Sequence, residues 1–198
     1  MSEAIECKRE LIVNKSADEV WEWILDVRNI MTANQFHVAA ECSESDARNP
    51  RVGLEVPILH EILGRKNHRM ARIAKFEDYA ISWGERLLNQ DREDPFPHSE
   101  GWLVEALGPN RCRIQNHARF RFMGAVGQLI GPYVWDKFIP ATLENDLQDV
   151  AYAIGAIDRK TFVNPPAAYF RLVGIREIDG KPASEVLDLS QPLFKQPS

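Results

Sequence analysis

From Cys112 to Phe122 the chain alternates without a break. Cys112, Ile114, Asn116, Ala118, Phe120 and Phe122 share one parity, while Arg113, Gln115, His117, Arg119 and Arg121 share the other. Successive side chains of an extended strand point to opposite faces, so one face of this strand is wet and the other covered. That pattern belongs to an antiparallel sheet packed on one side and excludes a parallel sheet buried on both. The cover follows in sequence. Leu143, Leu147, Val150 and Ile154 recur at helical spacing, extended backward by Ile139, with Glu144, Asn145, Gln148 and Asp149 on the opposite side. The spacing predicts a helix over 141–155 lying on Ile114, Asn116, Ala118 and Phe120.

Upstream, the same two-residue period recurs. Phe36, Val38, Ala40 and Cys42 form one apolar parity, and Leu54, Val56, Ile58, His60 and Ile62 another. Strands are also expected over 69–76, 80–88 and 101–107, the last joined to 112–122 through the turn Gly108-Pro109-Asn110-Arg111. Residues 89–98, with two prolines, read as a loop. A first strand spans 5–13. Ser16-Ala17-Asp18-Glu19 then has the form of a capping box, and Val20, Trp21, Ile24, Leu25 and Val27 continue as an amphipathic helix. A short second helix is expected over 28–33.

A chain of 198 residues with 44% apolar and 27% charged residues suits one globular domain that needs no disulfide or metal staple. Lys and Arg number 24 against 29 Asp and Glu, which argues against a nucleic-acid partner. The basic run Arg65, Lys66, His68, Arg69, Arg72 reads as a solvated outer face. No apolar run approaches the ~20 residues of a membrane span, and no signal peptide is visible. Cys7, Cys42 and Cys112 are sparse and odd in number, as in a reduced cytoplasmic protein, so a cytoplasmic location is expected. The texture changes after Gly155. Residues 1–155 are expected to form the domain, and 156–198 a partly ordered extension with a short hairpin near Asp179-Gly180. The extension carries enough Phe, Tyr and Ile to suggest a second copy of the chain, in a homodimer, as a partner.

Strand, capped helix pair, antiparallel run and long final helix, in that order, resemble the helix-grip fold of the START-like, SRPBCC superfamily. Ser16-Ala17-Asp18-Glu19-Val20-Trp21 through Leu25-Asp26 is similar to the family's capped first helix. Ala71-Arg72-Ile73-Ala74-Lys75-Phe76 followed by Ile81-Ser82-Trp83 resembles its central strand pair, and Gly124 to Gly131 its glycine-punctuated entry to the last helix. The branch most similar is the polyketide cyclase/dehydrase-like one. The resemblance implies an α+β fold, with an antiparallel sheet of about seven strands curved around the C-terminal helix. It also implies a small, mainly hydrophobic ligand between sheet and helix. It carries no catalytic signature to transfer. A cyclase-like enzyme and a non-catalytic carrier or sensor of a lipid, isoprenoid or quinone both fit; a chaperone-type interaction module fits less well. No cofactor is indicated.

Candidate residues follow from parity. His60 is the one titratable residue on the apolar face of its strand, either facing a ligand as acid or base or bonded to backbone. Glu85 shares a parity with Ile81, Trp83 and Leu87. It is a plausible base if that face is inward and a surface charge if outward, and outward is slightly favoured. His60 and Glu85 are the catalytic candidates. Ile58, His60, Met70, Trp83 and Trp102 are the ligand-binding candidates of the central strands. Asn116, Ala118 and Phe120 come from the last strand, and Trp135 from the glycine- and proline-rich approach. Leu143, Asp146, Leu147 and Val150 come from the helix, with Asp146 at the cavity edge or on the surface. A metal is not indicated. His98-Ser99-Glu100 has the H-x-E of zinc deaminases without the P-C-x-x-C that should follow, and His60 and His68 lack acidic or Cys partners at useful spacing.

Overall fold

A computed structural model of the chain describes residues 4–34, 36–62, 65–88, 94, 96–124, 128, 131, 138–161, 177–178 and 181–182. Strand β1 (Ile5–Val13) leads into α1 (Ala17–Leu25) and α2 (Val27–Ala33). Then come β2 (His37–Ala40), the single turn α3 (Glu44–Ala47), β3 (Glu55–Ile62), β4 (Arg65–Glu77) and β5 (Ala80–Leu87). β6 (His98–Gly108), β7 (Arg111–Phe120) and α4 (Ile139–Ala153) complete the main body. One antiparallel sheet of seven strands runs β1-β7-β6-β5-β4-β3-β2. Consecutive strands from β2 to β7 are therefore neighbours, while α1 and α2 carry the chain from one edge of the sheet to the other.

The helix ends follow the local chemistry. Ser16 accepts from the Glu19 amide at 3.2 Å while the Glu19 carboxylate accepts from the Ser16 N–H at 2.9 Å, the reciprocal box the sequence predicts. Pro140 falls in the first turn of α4, where its missing N–H leaves no helical bond unmade. At the other end Gly155 adopts φ +66°, and the Ala156 N–H reaches the Ala151 carbonyl at 2.8 Å while the Gly155 N–H reaches that of Tyr152 at 3.0 Å. This closing pattern needs a left-handed residue, which glycine supplies without steric cost.

α4 packs on β1 and β7 and touches α2. Ile114 and Ala118 are fully buried, and so nearly are Leu143 and Leu147, as the alternation in 112–122 predicts. Val20 and Ile24 of α1 join Val56, Ile73, Ile81, Trp83, Trp102 and Ile114 in the larger core, while Cys7, Ala118, Ile139 and Leu143 form a second cluster. Gly131 closes against Phe122, where a Cβ would stand 2.6 Å from the ring, a close approach only glycine permits.

Several expectations are corrected. β6 begins at His98, inside the stretch read as a loop. In β2 the inward residue is His37, 6% exposed, while Val38 faces out; a register shift between His37 and Ala39 moves the phase by one. Arg69, placed in a solvated run, is buried, because Ala71 and Ile73 fix the inward parity of β4 and Arg69 shares it. Met70, one step off that parity, faces the other side of the sheet and leaves the ligand-facing set. Asn145, placed on the polar side of the helix, is fully buried. Trp135 and most of 156–198 lie outside the described residues. Within the extension Glu177 pairs with Pro182 and Ile178 with Lys181, antiparallel, flanking the expected Asp179-Gly180 turn. Among the described residues no helix is long and apolar enough to cross a membrane.

Gly155→Ala is expected to destabilise the fold by about 1 kcal/mol, because alanine resists the left-handed conformation. Urea denaturation should show a lower midpoint with an unchanged slope.

Candidate functional site

Each inward row of the central sheet begins apolar and ends polar. On β3, Val56 and Ile58, preceded by Leu54, lead to His60; on β4, Ile73 and Ala71 lead to Arg69. On β5, Ile81 and Trp83 lead to Glu85; on β6, Val104 and Trp102 lead to Glu100 and His98. The antiparallel register brings these polar ends together. His37 of β2 stands opposite His60, and Glu85 stands opposite His98, so cross-strand neighbours form two close pairs.

Glu85 lies at the centre, its side chain fully buried. Sequence parity left it leaning outward; Trp83, two residues away and also fully buried, fixes its strand face inward. The Trp83 indole donates to Oε1 at 3.0 Å. His60 Nε2 stands 3.1 Å from Oε2, His98 Nε2 3.3 Å and Arg69 Nε 3.4 Å, while His37 Nε2 is 3.8 Å from Oε1. Arg69 also holds Asp94 at 2.7 Å. Beside them Glu100, 5% exposed, accepts from Asn34 Nδ2 at 3.4 Å and lies 3.8 Å from His98 Nε2.

Two imidazoles are oriented from behind by backbone. His37 Nδ1 contacts the Met31 carbonyl, and His98 Nδ1 the Phe96 carbonyl at 2.9 Å. A carbonyl only accepts, so both rings carry hydrogen on Nδ1 and turn Nε2 toward the carboxylates. Phe120 stacks on His98 with centroids 4.6 Å apart and fixes the plane of that ring.

Burial and charge pull these groups apart. Burial lowers His37 to about 3 despite the attraction of Glu85, so its imidazole is neutral. His60 is lowered by burial too, with Glu85 opposing. Burial acts to raise Glu85, but His98, His37 and His60 together outweigh it and hold the carboxyl well below its usual range. Burial lowers His98, yet Glu85 and Glu100 prevail and raise it. Glu100 is pushed up to about 8 by burial and by the charge of Glu85, with His98 opposing. The region thus places an imidazole 3.3 Å from an anion and 3.8 Å from a neutral acid, an arrangement suited to moving a proton.

A second polar pair lies under α4. Asn116 Nδ2 donates to Asp146 Oδ2 at 3.1 Å, and both residues are 1% exposed. Asp146 is therefore neither at an edge nor on the surface, because α4 turns it onto β7. Asn116 Oδ1 and Asp146 Oδ1 have no hydrogen-bond partner. Burial, then the charge of Asp149, raises the Asp146 carboxyl well above its usual range against the Asn116 bond. A proton on Asp146 removes the buried charge and supplies a donor.

Of the candidates read from sequence, Ile58, His60, Trp83, Trp102, Asn116 and Ala118 all lie buried on the inward face, with Phe120 partly so. Leu143, Leu147 and Val150 face them from α4. His60 and Glu85 meet directly. His37, Arg69, His98 and Glu100 were missed as a group, although the parity of Ile73, Trp83 and Trp102 would have placed the last three inward.

No protein-family model matches the sequence, and no curated protein matches it either. Solved structures do match. A START superfamily protein from Mycobacterium smegmatis shares 17% identity over 76% of this chain and 97% of its own, with a TM-score of 0.58. An aromatase/cyclase from a Streptomyces species shares 18% identity over 77% of this chain and 94% of its own, with a TM-score of 0.57. Norcoclaurine synthase from Thalictrum flavum, in a point-mutant form, shares 12% identity over 76% of this chain and 94% of its own, with a TM-score of 0.55. The chain has the START-like helix-grip fold that these structures share.

Asp146→Asn tests the buried pair. A carboxyl raised in the folded state stabilises the fold below its unfolded value near 4, and that stability is lost as pH rises through the folded value. The variant should match the parent near pH 4 and exceed it by about 1–2 kcal/mol at pH 8, measured by urea denaturation at both.

Proposed function

We propose that the protein binds a small, mainly hydrophobic molecule between the inward sheet face and α4 and acts on it by proton transfer, as a cyclase/dehydrase-like enzyme. The observation that carries this reading is the convergence of His60, Glu85, His98 and Glu100, drawn from three strands to one buried place where the apolar rows of the sheet end. A carrier of an apolar molecule gains nothing from such a cluster, because stripping water from these groups costs free energy that apolar packing would not. An enzyme does gain, since charge and hydrogen-bond donors fixed before the reaction stabilise developing charge without reorganising.

Glu85, surrounded by three imidazoles, a guanidinium and an indole, serves as the electrostatic anchor. His98 and Glu100, 3.8 Å apart, are the groups that exchange the proton with the ligand. Ala118, Phe120 and Leu143 supply the apolar contact that positions it, and positioning itself contributes to rate. The helix-grip neighbours support this reading through the fold, and two of them are by name a cyclase and a synthase.

Native mass spectrometry of the purified protein, followed by extraction of the bound molecule, tests the reading. The expected outcome is one small apolar ligand per chain, which wild-type protein converts to a product of altered mass or isomeric form. Glu100→Gln should retain the ligand and convert it about 100-fold more slowly or worse. A ligand returned unchanged by wild type identifies a carrier of a lipid, isoprenoid or quinone, and absence of any apolar ligand refutes both.

A further inference from the structure

We infer that His37, His60 and Glu85 form a binding site for one divalent transition-metal ion of the zinc class. Their ligand-capable atoms all lie within 4.8 Å of one another. Donors about 2.0–2.1 Å from a tetrahedral ion stand about 3.4 Å apart. His60 Nε2 stands 3.1 Å from Oε2 of Glu85 and His37 Nε2 3.8 Å from its Oε1, so each imidazole lies near that edge from one carboxylate oxygen.

Hydrogen bonding points the same way. His37 Nε2 is buried and lacks a hydrogen-bond partner, while His60 Nε2 and Arg69 Nε approach Glu85 Oε2 at 3.1 and 3.4 Å without hydrogen-bond alignment. His37 cannot relieve this by moving its hydrogen, because Nδ1 is committed to the Met31 carbonyl. Its bare Nε2 therefore faces a carboxylate, lone pair toward lone pair, unless a positive centre lies between them. A histidine that donates Nδ1–H to a backbone carbonyl while presenting Nε2 is the usual setting of a metal-bound imidazole.

Charge is consistent with a dication. Arg69 is matched by Asp94 at 2.7 Å, so Glu85 is left as the carboxylate facing His37 and His60. Two nitrogens and one carboxylate oxygen leave a fourth position for water or a ligand oxygen, the composition of a catalytic rather than a structural site. His98, 3.3 Å from the same Oε2, and Glu100 form a second donor group that shares Glu85, and they stay outside the proposed ligand set. The inference uses the same cluster as the functional reading but does not depend on an apolar ligand.

The test uses the full-length chain, stripped with a chelator, dialysed, and titrated with Co2+ alone and then with Zn2+ in competition. One Co2+ per chain is expected, with visible absorption of a low-coordinate nitrogen and oxygen site that Zn2+ abolishes. His37→Gln and His60→Gln, checked for cooperative melting, should each weaken binding about 10-fold or more, and His68→Gln, exposed on the outer face of β4, should leave it unchanged. X-ray absorption of the wild-type Zn2+ form should detect two imidazoles, a readout independent of whether the variants fold. Absence of stoichiometric uptake by wild type overturns the inference. So does uptake unchanged in a folded His60→Gln chain, or a zinc shell without imidazole. Apolar-ligand binding, measured on the stripped protein, reports on the functional reading alone.

Discussion

A single carboxylate imposes the constraint on which the structure depends. Glu85 is held in the middle of a sheet with no side-chain exposure, where an uncompensated charge would cost several kcal/mol. Its compensation comes from His60, Arg69, Trp83 and His98, carried on β3, β4, β5 and β6. The register of four strands is therefore tied to one charge. Slipping any of them by a residue would turn its contribution to the opposite face and leave the carboxylate underpaired.

This explains the division of the sheet. Toward α1 its inward rows carry Val56, Ile73, Ile81 and Val104, a conventional apolar core. Toward the other end the same rows carry His60, Arg69, Glu85 and Glu100. The apolar end provides the burial that stabilises the fold, and the polar end concentrates ionisable groups away from water, where their interactions are strong.

Much of the fold was legible because strand parity and helical period are properties of short windows. The alternation in 112–122 predicted both the buried face of β7 and its cover by Leu143 and Leu147, and the box at Ser16 and Glu19 predicted the start of α1. The site was less legible. Glu85 was undecided because a carboxylate on an apolar parity is equally a surface charge until its partners are known, and those partners are distant in sequence. Arg69 was hidden in a basic run in which Lys66, His68 and Arg72 are exposed. His37 was lost to the register shift in β2, which no local pattern signals. Asp146 and Asn116 read as unrelated polar residues, 30 positions apart, until α4 is laid on β7. Metal-ligand spacing rules find nothing here for the same reason, since each donor comes from a different strand.

Backbone carbonyls of Met31 and Phe96 fix the His37 and His98 imidazoles so that their Nε2 atoms face the carboxylates. Long-range 1H–15N correlation spectra of the histidine side chains measure this directly. The account predicts Nδ1–H on both His37 and His98, with His37 neutral and its Nε2 unprotonated across neutral pH. A bare Nδ1 on either residue, or His37 as the Nε2–H tautomer, would contradict it.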